Sequence, residues 1–90
     1  MPLTKVRQEI DKLDRELLNL LKKRSKLVER VGLIKKKHKL PIFNKLREIE
    51  IDKKLDKFAK KHGLRKTFLQ KIWKTMIDEA KVIEKKVKKQ

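Results

Sequence analysis

Apolar residues recur every three or four positions along most of this chain, which is the spacing of an amphipathic α-helix. The pattern is unbroken and free of proline from about residue 4 to about residue 37, and this predicts one long helix. It resumes over about 45–61 and over about 66–86, after a break at Pro41, and this predicts two shorter helices. No strand pattern is present, so the predicted class is all-α. The apolar positions are Val6, Ile10, Leu13, Leu17, Leu20, Leu21, Leu27, Val28, Val31 and Ile34, then Ile51, Leu55 and Phe58, then Leu69, Ile72, Trp73, Met76, Ile77, Ala80, Ile83 and Val87.

Residues with known capping preferences stand near the predicted helix ends. Thr4 and Asn44 are the predicted N-caps of the first and second helices, because their side chains can accept from unpaired backbone N–H groups. Gly63 is the predicted C-cap of the second helix, since glycine favours the left-handed conformation. We expect the tail 85–90 to be frayed. Gly32, inside the first helix, is either simply tolerated there or marks a close approach to a ligand or a neighbouring helix.

The first predicted helix is too long for a compact monomer of this size. About 33 residues form a rod of about 50 Å, whereas a compact domain of 90 residues has a radius of gyration near 12 Å. A long amphipathic helix in so short a chain favours an intertwined oligomer, most simply a homodimer. We therefore predict one domain over residues 1–90, with three helices per chain in an intertwined homodimeric helical bundle.

The composition restricts the classes of function. A net charge of +17 favours anionic partners such as nucleic acid, acidic lipid headgroups or a small polyanion. The chain has no cysteine, which excludes disulfides and thiol chemistry. Its longest uncharged runs, 17–21 and 40–44, are far too short for a membrane span. The start of the sequence lacks the apolar core of a signal peptide, so we expect a cytoplasmic location.

Five charged residues interrupt the apolar faces of the predicted helices. Burying a charge without a partner is costly, so these side chains need opposite charges or a ligand. Each one alone could snorkel to solvent or form a buried ion pair. Together they are three cations and two carboxylates, a balance suited to a dianion that also carries hydroxyl or ether oxygens. The five are Arg24, Lys35, Arg47, Glu48 and Glu84.

Other kinds of chemistry find little support in the sequence. His38 and His62 lack metal-ligand spacing, so no metal site is predicted. Ser25 is the only serine and has no neighbouring base, and no glycine-rich phosphate loop is present. The remaining lysines and arginines surround the exposed faces and do not form a base-reading helix, so no specific nucleic-acid site is expected.

An ordered set of residues covering nearly the whole chain resembles the all-helical chorismate mutases, the AroQ class. The resemblance implies a monofunctional isomerase that rearranges chorismate to prephenate in the shikimate pathway to phenylalanine and tyrosine. It implies a homodimer with two active sites and no cofactor. The residues that carry it are Arg7, Ile10, Leu13, Asp14, Leu20, Leu21, Arg24, Val31, Gly32, Lys35, Leu40, Pro41, Ile42, Arg47, Glu48 and Glu84.

The resemblance also assigns roles to the three residues expected to be catalytic. Arg24 would clamp a substrate carboxylate together with Arg7 of the partner subunit. Lys35 would donate to the enolpyruvyl carboxylate and the ether oxygen, and Glu84 would address that oxygen from the other side. Arg7 and Lys35 are 28 residues apart on one helix, about 42 Å, so they cannot both reach one small ligand from the same chain.

Four further residues would complete the substrate-binding set. By resemblance, Glu48 would accept from the ring hydroxyl, and Arg47 and Asn44 would shape that end of the pocket. Asn44 stands where relatives often carry Asp, and Ala80 where some offer a hydroxyl. Glu84 replaces a frequent Gln and can donate to the ether oxygen only when protonated.

Several alternatives stay open from the sequence alone. The charge of +17 also suits a basic helical nucleic-acid-binding protein, whose affinity would fall steeply with salt. A non-catalytic helical dimerisation module has the same periodicity. Within the same fold, the chain could be an isochorismate pyruvate lyase, or a regulatory mutase domain docked on another shikimate-pathway enzyme. The cations inside the apolar faces favour binding of a small dianion over the first two of these alternatives.

Overall fold

The computed structural model of the chain describes residues 2–90, which form three α-helices joined by two short loops and contain no strand. Helix α1 spans Leu3–His38, α2 spans Lys45–His62 and α3 spans Lys66–Lys89. The all-α prediction of one long and two shorter helices is confirmed. None of the three helices is long and apolar enough to cross a membrane, as far as the described residues go.

Two of the predicted helix ends are confirmed, and two predictions about helix ends are wrong. Asn44 Oδ1 accepts from the backbone N–H of Arg47 at 3.0 Å, and Gly63 has a φ of 68°, as predicted. The prediction that Thr4 caps α1 is wrong, because Pro2 is the N-cap and the helix already begins at Leu3. The predicted fraying of residues 85–90 is also wrong, since α3 continues to Lys89.

Packing explains why the end of α3 stays helical. Val87 is buried, and its side chain contacts α1 where Gly32 leaves room for it. Lys36 of α1 donates to the backbone carbonyl of Gln90, and Lys88 donates to that of Leu40 at 2.7 Å. These contacts join the C-terminal ends of α1 and α3, which therefore run in the same direction.

Helix α3 is the element against which both other helices pack. Helices α1 and α3 are parallel, since Gly32 faces Glu84 and Lys36, further along α1, reaches Gln90. Helices α2 and α3 are antiparallel. Glu48 contacts Lys81, and Asp52, one turn further along α2, accepts from Gln70 at 2.9 Å. The C-terminal half of α1, the N-terminal part of α2 and the C-terminal half of α3 consequently surround one region.

The main cluster of buried apolar residues lies between α2 and α3 and is small. Leu55, Ala59 and Leu69 form it, and Ile51 and Trp73 pack against it. All five continue the apolar faces of these two helices, and burying a leucine side chain contributes about 2 kcal/mol. This cluster fixes α2 on α3 and so sets the width of the space between α2 and α1.

The N-terminal half of α1 extends away from the other two helices. Every residue from Arg7 to Lys23 is exposed. The chain measures 55 × 27 × 14 Å and has a radius of gyration of 16.4 Å, well above the value near 12 Å for a compact chain of this length. Its accessible surface is 7956 Å², compared with about 5,600 Å² for a compact monomer of this mass. Apolar residues exposed along this half of α1 are Ile10, Leu13, Leu17, Leu18 and Leu20.

Candidate active site

A cavity of about 190 Å³ lies where the three helices and the loop after α1 meet. Seven of the eight residues predicted to bind substrate line it, and they come from all three helices and that loop. Arg7 is the exception. The lining residues are Arg24, Val28, Val31, Lys35, Ile42, Asn44, Arg47, Glu48, Ile51, Ile77, Ala80, Lys81 and Glu84.

Lys35 and Glu84 form an ion pair in the wall of the cavity. Lys35 Nζ lies 2.6 Å from Glu84 Oε1, and 14% of the lysine side chain and 7% of the glutamate side chain are exposed. Lys35 Nζ also donates to the backbone carbonyl of Ile42 at 2.7 Å. Glu84 Oε1 is close to the cation but is without a hydrogen-bond partner among the described residues. The pair therefore has a buried acceptor at which no N–H or O–H is aimed.

Gly32 accounts for the close approach of α3 to α1 beside this pair. A Cβ at position 32 would lie 3.2 Å from Val87 Cβ and 3.3 Å from Glu84 Cα. The second of these atoms is backbone and cannot turn aside. Of the two interpretations of Gly32, close approach to a neighbouring helix is the one that this packing supports, and the glycine sets how near Glu84 comes to Lys35.

Arg24 faces the cavity from α1, three turns before Lys35. It is half-buried, and Val28 and Val31 lie between the two cations along the cavity wall. Within residues 2–90 no carboxylate forms a salt bridge with Arg24. A half-buried guanidinium without an anionic partner is a favourable position for a ligand carboxylate.

The N-terminal end of α2 supplies the opposite side of the cavity. Asn44 Oδ1 is occupied by its capping hydrogen bond to the backbone of Arg47. The Arg47 side chain is 56% exposed and pairs with Glu50 at 2.6 Å, so its guanidinium lies at the rim. Glu48 is half-buried and projects inward. Asn44 and Arg47 are thus held by local contacts, whereas Glu48 faces the cavity from the first turn of α2.

Lys81 is a cavity residue that the sequence interpretation missed. Its Nζ lies 3.3 Å from Glu48 Oε2 and 4.8 Å from the centre of the Phe43 ring, and 30% of its side chain is exposed. A signal was present, because Lys81 follows Ile77 by four residues and precedes Glu84 by three, which places it on the same helix face. Among 29 basic residues, however, a single lysine does not stand out in the sequence.

Arg7 lies outside the cavity of its own chain. It is exposed on the free half of α1, 17 residues before Arg24, which corresponds to about 25 Å along the helix. Leaving Arg7 aside, the cavity holds four cations, namely Arg24, Lys35, Arg47 and Lys81, and two carboxylates, Glu48 and Glu84. This surplus of positive charge suits a small dianion.

The lining residues favour binding and charge stabilisation over covalent chemistry. None of the 13 described lining residues is a serine, cysteine or histidine. The polar groups are cations, carboxylates and one amide, set among aliphatic side chains. Such a site can hold a dianion in one conformation and place donors at an atom that becomes negative during a reaction.

Comparisons with known proteins agree with this geometry. The sequence profile described as chorismate mutase type II matches residues 6–85. The chain is 39% identical over 89 residues to a bifunctional chorismate mutase/prephenate dehydratase of Aquifex aeolicus, which covers 96% of this chain and 25% of that protein. It is 37% identical over 75 residues to the T-protein of Haemophilus influenzae, covering 83% and 20% respectively.

A third relative carries a different substrate in its name. The 4-amino-4-deoxychorismate mutase of Streptomyces pristinaespiralis is 28% identical over 78 residues, covering 87% of this chain and 60% of that protein. The chain spans a quarter or less of the length of the first two relatives.

Proposed function

The chain belongs to the type II chorismate mutase family, and we propose that it converts chorismate to prephenate by an intramolecular rearrangement. The observation that carries the proposal is the convergence of Arg24, Lys35 and Glu84 on one small cavity with a surplus of positive charge. Chorismate is a dianion with an ether oxygen and a ring hydroxyl. Its two carboxylates match the cations, its ether oxygen is assigned to Glu84, and its ring hydroxyl is assigned to Glu48.

The rearrangement requires a particular conformation more than it requires a reactive group. The ether bond breaks as a carbon–carbon bond forms within the same molecule, so no nucleophile and no net proton transfer takes part. The protein must hold the substrate with its enolpyruvyl group over the ring and stabilise the negative charge that develops on the ether oxygen. A rigid cavity lined by Val28, Val31 and Ile77 supports the first requirement, and Lys35 supports the second.

Lys35 is the central donor in this proposal. Its ammonium has three N–H groups, of which one is fixed by the carbonyl of Ile42, and the ion pair with Glu84 holds the nitrogen in the cavity wall. The N–H groups that Ile42 does not use are available to the enolpyruvyl carboxylate and the ether oxygen. Glu84 donates to the same ether oxygen when it carries a proton, and Arg24 binds the other carboxylate. Glu48 accepts from the ring hydroxyl, with Asn44, Arg47 and Ala80 as its neighbours in the wall.

The proposed active form is a homodimer in which each site receives Arg7 of the partner subunit. The isolated chain exposes about 2,400 Å² more than a compact monomer of its mass. An obligate dimer interface covers an area of this order on each subunit. The uncovered surface includes the apolar residues of the free half of α1, between Arg7 and Lys23. Arg7 lies outside the cavity of its own chain, and packing two such halves together would direct it towards the cavity of the partner subunit.

Two finer expectations remain predictions. One is a cytoplasmic location, and the other is a working association with another enzyme of the shikimate pathway. The proposed substrate is a small dianion, whether or not the chain associates with another enzyme. The carboxylate clamp and the absence of base-reading positions favour this over the nucleic-acid-binding alternative.

The test of the proposed function is the loss of chorismate's ultraviolet absorbance in the presence of the purified protein. Acid treatment of the product should give phenylpyruvate, which identifies prephenate. Release of pyruvate from isochorismate, without loss of chorismate, would instead indicate the lyase. Salt-sensitive binding to RNA or DNA with no effect on either substrate would indicate a nucleic-acid-binding protein.

A further inference from the structure

Lys81 and Glu48 form a second ion pair in the wall of the same cavity. Lys81 Nζ is 3.3 Å from Glu48 Oε2, so one oxygen of the carboxylate faces the lysine and the other remains available. The Phe43 ring, 4.8 Å from the same nitrogen, covers the cation from the loop side. About a third of each side chain is exposed, at 30% for Lys81 and 32% for Glu48. Both residues therefore hold their charges at the cavity wall.

We propose that Lys81 selects substrates with a neutral ring substituent and rejects those with a cationic one. This inference rests on the proposed function, in which Glu48 meets the ring hydroxyl of chorismate. A hydroxyl donates one hydrogen bond and carries no charge, so Glu48 can accept it while Lys81 stays in place. Lys81 thereby determines specificity at a position for which the sequence pattern assigned no role.

An amine in place of the ring hydroxyl meets two obstacles at this wall. Alkyl amines are mostly protonated at neutral pH, so the substituent would be an ammonium. Glu48 is the anion that would receive it, but Lys81 already occupies one of its oxygens. The two cations would also repel each other at a separation of about 7 Å or less, which at a partly buried site changes relative binding by about tenfold or more.

The test compares two substrates in the same protein. The probes are chorismate and 4-amino-4-deoxychorismate, the analogue with an amine in place of the ring hydroxyl. The native protein should have a kcat/KM for chorismate at least about tenfold above that for the amino analogue. Lys81→Met removes the charge and keeps the length, and it should reduce this ratio by about tenfold. Because the measured quantity is a ratio within one protein, partial loss of folded protein does not affect it.

Two matched variants complete the experiment. Lys81→Arg keeps the cation and should keep the discrimination. Lys85→Met removes an exposed lysine one turn further along α3, outside the cavity, and should leave the ratio unchanged. A ratio that is the same in native protein and Lys81→Met, with chorismate still converted by both, would overturn the role of Lys81 alone. Failure of the native protein to convert chorismate would overturn the proposed function itself.

Discussion

Lys35 Nζ lies 2.6 Å from Glu84 Oε1 and joins the C-terminal part of α1 to that of α3. The same nitrogen donates to the carbonyl of Ile42, so one cation also holds the loop that follows α1. Both charged groups are largely buried, and both line the cavity. The pair therefore contributes to the stability of the fold and supplies the polar groups of the proposed site.

The first prediction concerns what happens when this pair is broken. Lys35→Met leaves the Glu84 carboxylate buried without its cation and should lower the free energy of unfolding by about 3 kcal/mol. The double variant Lys35→Met/Glu84→Gln removes the unpaired charge and should recover much of that stability, yet stay inactive. Urea unfolding at fixed protein concentration measures both. Equal losses in the single and double variants would contradict a buried ion pair.

The second prediction concerns the hydrogen-bond donor at position 84. A carboxylate paired with Lys35 accepts hydrogen bonds, and only a protonated carboxyl group can donate one. Glu84→Gln supplies a permanent N–H donor beside Lys35 and should raise kcat for chorismate, because the amide can donate to the ether oxygen. The measurement is kcat for chorismate in both proteins. A kcat of Glu84→Gln that is no higher than the native value would contradict a donor role for position 84.

The third prediction separates positioning from stability at the two glycines. Gly32→Ala would force α3 outward, because the new Cβ meets Glu84 Cα at 3.3 Å. Alanine gains about 1 kcal/mol in helix propensity, so Tm should change little while kcat falls. Gly63→Ala has open space but a φ of 68°, and it should lose about 1 kcal/mol of stability and keep its kcat. Unchanged kcat in Gly32→Ala would mean that α3 adapts without moving Glu84.

The sequence was sufficient for the elements of the fold and insufficient for some of their ends. Helical periodicity over three long stretches, a break at Pro41 and capping residues at Asn44 and Gly63 predicted three helices. Thr4 was misjudged because capping preference alone cannot tell where the first helical residue lies. The end of α3 was misjudged because Val87 is held by a contact with another helix, which local propensity does not contain.

The candidate site was predictable where a charge interrupted an apolar face. That criterion gathered Arg24, Lys35 and Glu84, and the cavity contains them. The direct pairing of Lys35 with Glu84 was not predicted, because it depends on α1 and α3 running in the same direction. Lys81 was missed because a lysine-rich sequence offers no contrast between a lysine at a cavity wall and one in solvent.

The fourth prediction tests whether each site is shared between two chains. Arg7→Ala and Arg24→Ala should each be nearly inactive alone. When the two variants are unfolded together and refolded, mixed dimers contain one site with both arginines, and about a quarter of native activity should return. Arg24→Ala mixed with Lys35→Met should recover nothing, because both residues belong to the same chain's part of the site. No recovery in the first mixture would exclude the donation of Arg7.

The most direct test of the central claim is the kcat/KM for chorismate in the native protein and two arginine variants. Arg24→Ala removes the half-buried guanidinium that is proposed to bind a substrate carboxylate, and it should lower kcat/KM by about 100-fold or more. Arg30→Ala removes an exposed arginine of the same helix, outside the cavity, and should leave it unchanged. Conversion of chorismate to prephenate that depends on Arg24 and not on Arg30 is the predicted result. Absence of conversion by the folded native protein, or equal rates in native protein and Arg24→Ala, would contradict the account.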